Sequence, residues 1–292
     1  QNYDIPVIMV SAHTERGAQA TFKALELGAI DFVTKPQAGD MRSLVEIGDT
    51  LAQKIIAVAR SPRRRFKRAH PSTPPPIKAI VPPAIPRMVG GSTSIDMIAI
   101  GASTGGTEAI KDVLVRLPVQ IPGIVIVQHM PAGFTKAFSN RLDSLCQIAV
   151  KEAEDGDEVI QGRALIAPGS HHMELVRFGA KYKVRLLETP PVNRHRPSVD
   201  VLFFSVAEKV GNRALGVLLT GMGADGADGL RLMKDSGAQT VAQDEESCVV
   251  FGMPKEAIKR GGASYVMSLD QIPEFLVSAS QRAFRPSRVI ST

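Results

Sequence analysis

The residues with the clearest chemical potential lie near the middle of the chain. Residues 98–107 read I-A-I-G-A-S-T-G-G-T, an apolar strand that ends in Gly101-x-Ser103-x-Gly105 and runs straight into a helix-compatible segment at 108–117. Small residues on both sides of a serine let a strand turn sharply into a helix, which leaves the hydroxyl exposed beside the first backbone N–H groups of that helix. Ser103 is therefore a candidate nucleophile. The five-residue pattern is weak on its own, because Gly and Ser also serve ordinary strand-to-helix turns and helix N-caps.

A serine nucleophile needs a base and an acid that orients the base. Of the six histidines, His129 directly follows the apolar run 124–127 and precedes Gly133, so it emerges at the same sheet edge as Ser103. His171 and His172 fall in a region of strand-like segments, His195 sits in a basic loop between Arg194 and Arg196, and His13 and His70 lie outside the central region. Among the acids, Asp225 follows the apolar run 217–219 through T-G-M-G-A and reaches that edge as well. Asp228, one turn further on, competes with it, and either is also what a helix dipole favours in a first turn. Asp96 starts its strand and faces the opposite edge, while Asp200 lies inside a predicted helix.

The same loop supports a rival reading. Gly221-x-Gly223-x-x-Gly226 follows a strand and opens a helix, and Asp244 comes about twenty residues later. That is the dinucleotide fingerprint of an oxidoreductase in its proper context. Against it, Asp225 would put a carboxylate into a turn meant for pyrophosphate, and Ser103 and His129 would have no role.

The elements that must position these residues alternate strand and helix. Strands are expected at 96–102, 123–127, 214–219 and 240–243, with helices at 108–117, 134–145, 227–235 and 254–259. Segments 164–167, 173–178 and 181–187 read as antiparallel strands, the last two joined by Gly179-Ala180, and a helix follows at 198–210. The pattern predicts an α/β fold: a doubly wound, mainly parallel sheet with an antiparallel excursion at one edge. Upstream, 5–10 and 30–33 read as strands, with helices at 15–27 and 41–59. Two strands and two helices are half of a small α/β unit, so residues 1–60 should be largely unfolded by themselves, and deletion of residues 1–94 should change turnover little.

Between the two parts, 61–95 contains Pro62, Pro71, Pro74–Pro76, Pro82, Pro83 and Pro86, and reads as a semi-stiff linker. The chain thus divides into 1–60, the linker 61–95, and a large domain at 96–285. The linker also holds seven basic residues and no acid, which leaves 28 basic against 29 acidic residues in the rest of the 292-residue chain. The net charge of +6 is therefore a property of the linker, and with Phe66 as its only aromatic residue it does not make a nucleic-acid surface. No apolar run is long enough to span a bilayer. The two cysteines, Cys146 and Cys248, fit buried small hydrophobes in a reducing compartment.

Read in order, I-A-I-G-A-S-T-G-G (98–106), V-Q-H-M-P-A-G-F-T (127–135), R-P-S-V-D-V-L-F (196–203), L-L-T-G-M-G-A-D-G-A (218–227) and A-Q-D-E-E-S-C-V-V-F-G-M-P (242–254) resemble the motifs of bacterial chemotaxis protein-glutamate methylesterases, the CheB family. D-I-P-V-I-M-V-S-A (4–12) and L-G-A-I-D-F-V-T-K-P (27–36) resemble the back half of that family's flavodoxin-like receiver domain. The resemblance covers nearly the whole chain outside the linker.

It implies an enzyme that hydrolyses glutamate methyl esters on the cytoplasmic helices of chemotaxis receptors, releasing methanol, and that commonly deamidates receptor glutamines too. Ser103 would be the nucleophile, His129 the base and Asp225 the orienting acid. Thr104 and Met222 fall in the matched active-site turns, with the Met222 N–H as an oxyanion donor. No metal or organic cofactor is implied, nor nucleic-acid binding or membrane insertion. The implied location is the cytoplasm, and the chemotaxis histidine kinase is the implied phosphodonor of a full-length protein. Ser11 and Lys35 match receiver positions that read a phosphoryl group, but the acceptor aspartate is not in this sequence. Acetyl phosphate is accordingly expected to leave the activity of this chain unchanged.

Overall fold

The computed structural model describes residues 5–12, 14–35, 41–60 and 95–281. The linker therefore lies outside the described residues except for Ile95, as do His13 and His70. In the large domain, seven parallel strands form one sheet: β3 (Met97–Ala102), β4 (Gly123–Gln128), β5 (Ala149–Glu152), β6 (Arg163–Ile166), β9 (Ala214–Leu218), β10 (Gln239–Gln243) and β11 (Tyr265–Met267), in the spatial order β11-β10-β9-β3-β4-β6-β5. The central strands β3, β4 and β9 are buried along their whole length, as their unbroken apolar runs require in a sheet covered on both sides.

Successive strand residues face opposite layers. Ile98, Ile100, Ile124, Ile126 and Val217 meet α3 (Gly106–Leu114), α4 (Phe134–Leu145) and α8 (Ile272–Gln281). Met97, Ala99, Val125, Val127 and Leu218 meet α5 (Val199–Lys209), α6 (Ala227–Asp235) and α7 (Met253–Lys259). The helix after β3 therefore lies on one face and the helix after its neighbour β9 on the other. A crevice opens at such a reversal, beyond the carboxyl ends of the two strands.

The doubly wound, mainly parallel sheet is the expected one, with differences of detail. Arg163–Ile166, expected among the antiparallel strands, instead pairs in parallel between β4 and β5. The antiparallel pair β7 (His172–Phe178) and β8 (Lys181–Leu187) is a separate ribbon whose Met173, Leu175 and Val184 pack in the layer of α5. Among the described residues, no helix is long and apolar enough to cross a membrane. Cys248 is buried and Cys146 only partly so.

The N-terminal piece corrects an expectation. Strands β1 (Ile8–Ser11) and β2 (Asp31–Thr34) pair in parallel, flanked by α1 (Glu15–Glu26) and α2 (Met41–Arg60). Its apolar faces are not left unpartnered. Phe32 stacks on Phe134 with ring centroids 4.6 Å apart, Phe22 stacks on Phe138 at 5.6 Å, and Glu26 pairs with Arg141. All three partners lie on α4, so the large domain supplies the apolar surface that the two-stranded piece lacks. A second contact unites Ile30 and Val58 with Val250, with Ala57, Met222 and Val249 packed around them.

Candidate active site

The turn that carries Ser103 is built by β3 and its neighbours. Ala102 and Gln128 are aligned in register, so Ser103 and His129 each leave the sheet one residue later, at the same edge. The His129 N–H donates to Ala102 O at 3.1 Å, and the Ser103 N–H donates to Thr220 O at 3.0 Å, which ties the three strand ends together. The Gln128 side chain adds a clamp, its amide donating to Ser103 O at 2.9 Å and to His129 O at 3.2 Å. Gly105 has φ +76° at the helix start, a conformation an L side chain rarely adopts, and Val249 fills the space where its Cβ would project. Gly221 allows the second turn to close in, since a Cβ there would lie 2.8 Å from Ser103 Cβ.

His129 and Asp225, 96 residues apart in sequence, form a hydrogen bond of 2.7 Å between Nε2 and Oδ2. Their side chains are 7% and 2% exposed. The carboxylate also accepts from the Ser198 hydroxyl at 2.7 Å, Asn193 Nδ2 at 2.8 Å, the Val199 N–H at 2.7 Å and the Asp200 N–H at 3.3 Å. Two of these donors are the first backbone amides of α5, the end of a helix that favours an anion. Burial by itself would raise the Asp225 carboxyl. The bond and charge of His129, with Asn193 and Ser198, outweigh it and hold the group well below the usual carboxylate range.

An ionised Asp225 requires the ring proton of His129 on Nε2, which leaves a lone pair on Nδ1. Nδ1 is buried and has no hydrogen-bond partner among the described residues. The Ser103 hydroxyl likewise makes no hydrogen bond among them, and neither the Met222 nor the Thr104 N–H has an acceptor. A free base lone pair, a free hydroxyl and two free amide donors thus meet at one strand edge. Thr104 is buried, and its carbonyl accepts from the Thr220 hydroxyl at 2.9 Å.

The competing residues are engaged elsewhere. Asp228, 59% exposed, pairs with Arg260 at 2.6 Å. Asp96 pairs with Arg213 at 2.8 Å at the other edge of the sheet. His172 is fully buried between Pro190 O and the Ser198 N–H, and His171 contacts Ser170 and Glu188. Asp244 uses its Oδ1 on the backbone and hydroxyl of Ser247, at 2.8 and 2.6 Å, closing its own turn. One oxygen of the acid that a ribose would need is thereby committed to its own turn. Among the described residues, no group of three His, Cys, Asp or Glu side chains gathers where it could hold a metal ion.

Residues 98–276 match the model of the CheB methylesterase family. The chain belongs to that family, and so is a hydrolase. A protein-glutamate methylesterase/protein-glutamine glutaminase of Chromohalobacter salexigens is 52% identical over 285 residues, covering 98% of this chain and 78% of the relative. A relative of the same name from Salmonella typhimurium is 52% identical over 274 residues, covering 94% of this chain and 75% of its own length. The CheB methylesterase catalytic domain of Thermotoga maritima superposes with a TM-score of 0.62 at 43% identity, covering 64% of this chain and 99% of that domain.

Three neighbours of this CheB-family site were given no role in it by the sequence argument. His195, assigned there to a basic loop, lies with its ring stacked on His129. Asn193 and Ser198 hold Asp225. For Ser198 a signal existed, because a serine just before a helix is a usual N-cap. Asn193 and His195 reach the site only through the fold of their loop.

Proposed function

We propose that this chain hydrolyses γ-methyl esters of glutamate on chemotaxis receptors, and deamidates receptor glutamines, through Ser103, His129 and Asp225. The observation that carries the assignment is the 2.7 Å His129–Asp225 bond at the strand edge beside Ser103, with Nδ1 left free. In this reading the Ser103 hydroxyl attacks the ester carbonyl while His129 Nδ1 takes its proton. Asp225 stabilises the imidazolium so formed. The Met222 N–H, with the Thr104 N–H beside it, holds the oxyanion. His129 then returns the proton to the departing methoxide, methanol leaves, and an acyl-enzyme remains. Water, deprotonated by the same nitrogen, frees the glutamate and restores the serine. A glutamine follows the same course, with ammonia as the leaving group.

The remaining assignments follow from the same reading. Residues 1–60 are part of a receiver domain, 61–95 the linker and 96–285 the catalytic domain. The partners are the cytoplasmic helices of methylated receptors and, for a longer protein with a complete receiver, the histidine kinase that phosphorylates it. That places the activity in the cytoplasm. The test is methanol release from methylated receptor membranes by the parent and by Ser103→Ala. The alanine variant should keep its fold and lose nearly all turnover, and retention of more than about a tenth of parental turnover would reduce Ser103 to a turn residue.

A further inference from the structure

The rings of His129 and His195 lie face to face, with centroids 3.7 Å apart and planes inclined by 12°. His195 is brought there by a tight turn. The N–H of Val192 donates to His195 O at 3.0 Å and the N–H of His195 donates to Val192 O at 2.8 Å, while the two central residues have positive φ, Asn193 at 52° and Arg194 at 66°. Positive φ at both central positions makes a two-residue hairpin turn, which asparagine tolerates and arginine does not favour. The side chain of Asn193 holds this geometry by bridging two carboxylates, with Nδ2 at 2.7 Å from Asp200 Oδ2 and 2.8 Å from Asp225 Oδ1. The loop that pins Asp225 therefore also lays an aromatic ring on His129.

We infer that His195 is a positioning residue of the hydrolase: its stacked ring fixes the plane of the His129 imidazole, so that Nε2 stays on Asp225 and Nδ1 stays toward Ser103. This rests on the assignment of His129 as the base. An imidazole held by a single hydrogen bond can rotate about its χ2 axis, and a flat ring at van der Waals distance removes that freedom. Rotation would aim the Nδ1 lone pair away from the nucleophile, and small misplacements of a catalytic group are costly. The stacked ring must also tolerate the positive charge that His129 gains during the reaction. Burial pushes His195 down to about 3, reinforced by the charges of His129, Lys54 and Arg194 against the pull of Asp225, so His195 is neutral while the enzyme works. A neutral aromatic face beside a cation is favourable, whereas a second cation would not be.

The experiment compares the parent chain with His195→Ala, His195→Phe and Ser103→Ala, using a peptide that carries a glutamate γ-methyl ester, alongside ¹⁵N spectra of labelled histidine. His195→Ala should lower kcat at least about tenfold with KM within about threefold, because the ring orients the base and binds no substrate. His195→Phe, which keeps a neutral flat ring, should restore kcat to within about threefold of the parent. The His129 signals should report a single Nε2–H tautomer in the parent and the Phe variant, and lose it in the Ala variant. A kcat for His195→Ala within twofold of the parent, an unchanged His129 tautomer in that variant, or a Phe variant as impaired as the Ala variant would each overturn the inference. The nitrogen spectra need no substrate. Activity surviving in Ser103→Ala would therefore sink the proposed function while leaving the stacking result readable.

Discussion

Replacing Asp225 by asparagine removes one charge and keeps the shape, so its cost can be worked from the donors around the carboxylate. Five donors converge on Asp225: His129 Nε2 and the Val199 N–H on Oδ2, and the Ser198 hydroxyl, Asn193 Nδ2 and the Asp200 N–H on Oδ1. An asparagine must turn its NH₂ toward one group or the other. The Oδ1 side is the easier, since a hydroxyl can reverse its role and the Asp200 contact is long at 3.3 Å. The carbonyl then stays on His129, and the correct tautomer survives. What disappears is the charge that stabilises the imidazolium. At 2.7 Å the Coulomb attraction is about 6 kcal/mol at an effective dielectric constant of about 20, an upper bound because a neutral hydrogen bond remains. A loss of about 3–5 kcal/mol follows, which is a fall in kcat of about 10²- to 10⁴-fold. The assay is methanol release under saturating substrate, with far-UV circular dichroism to show that the variant is folded. Asp228→Asn is the control: this carboxylate pairs with Arg260 on the exposed rim, and its loss should change kcat less than about twofold. A folded Asp225→Asn protein within tenfold of the parent, or an Asp228 variant that is equally impaired, would refute the reasoning.

Asp225 also links stability to pH. Its folded-state carboxyl lies below the ordinary range, so its contribution is complete above a pH of about 4 and is lost as pH falls below that value; the stability gap between parent and Asp225→Asn in urea titrations should therefore narrow from pH 7 to pH 3. Val58 is buried against Val250 in the contact that also packs Met222, so Val58→Asp should loosen the N-terminal piece from the Met222 turn and raise kcat/KM for receptor substrates severalfold, and an unchanged or lower value would mean that the contact does not restrict access. Deleting residues 1–94 should act in the same direction, contrary to the expectation from sequence that this deletion changes turnover little. Gln128→Leu removes the amide that clamps the Ser103 and His129 carbonyls, leaving the first with only the Gly106 N–H, so thermal melting should show a loss of about 1–3 kcal/mol together with reduced turnover.

The chemistry of the site was legible because a parallel sheet reduces position to sequence order. Residues that directly follow strands emerge at one edge, and this rule alone placed Ser103, His129 and the Gly221–Asp225 turn together and sent Asp96 to the other side. The central strands declared themselves by unbroken apolar runs. The edges did not: β5 and β11 are four and three residues long and only partly buried, and α8 carries Pro273 in its first turn, where a proline is tolerated but reads as a break.

The residues alone left Asp228 in competition with Asp225, since both precede or open α6, and only the family resemblance favoured Asp225. Tertiary structure sets the two apart by bringing the start of α5, with Ser198 and the Val199 N–H, onto one carboxylate and Arg260 onto the other. His195 was invisible for the same reason. In sequence it is a histidine between two arginines, and only the turn at Asn193 and Arg194 lays its ring on His129. The N-terminal piece read as half a domain with unpartnered faces, yet Phe22 and Phe32 find Phe134 and Phe138 of α4 more than a hundred residues away. Local pattern sets which residues leave a strand or line a helix. Which of them meet depends on packing between segments distant in the chain, and periodicity carries no record of that.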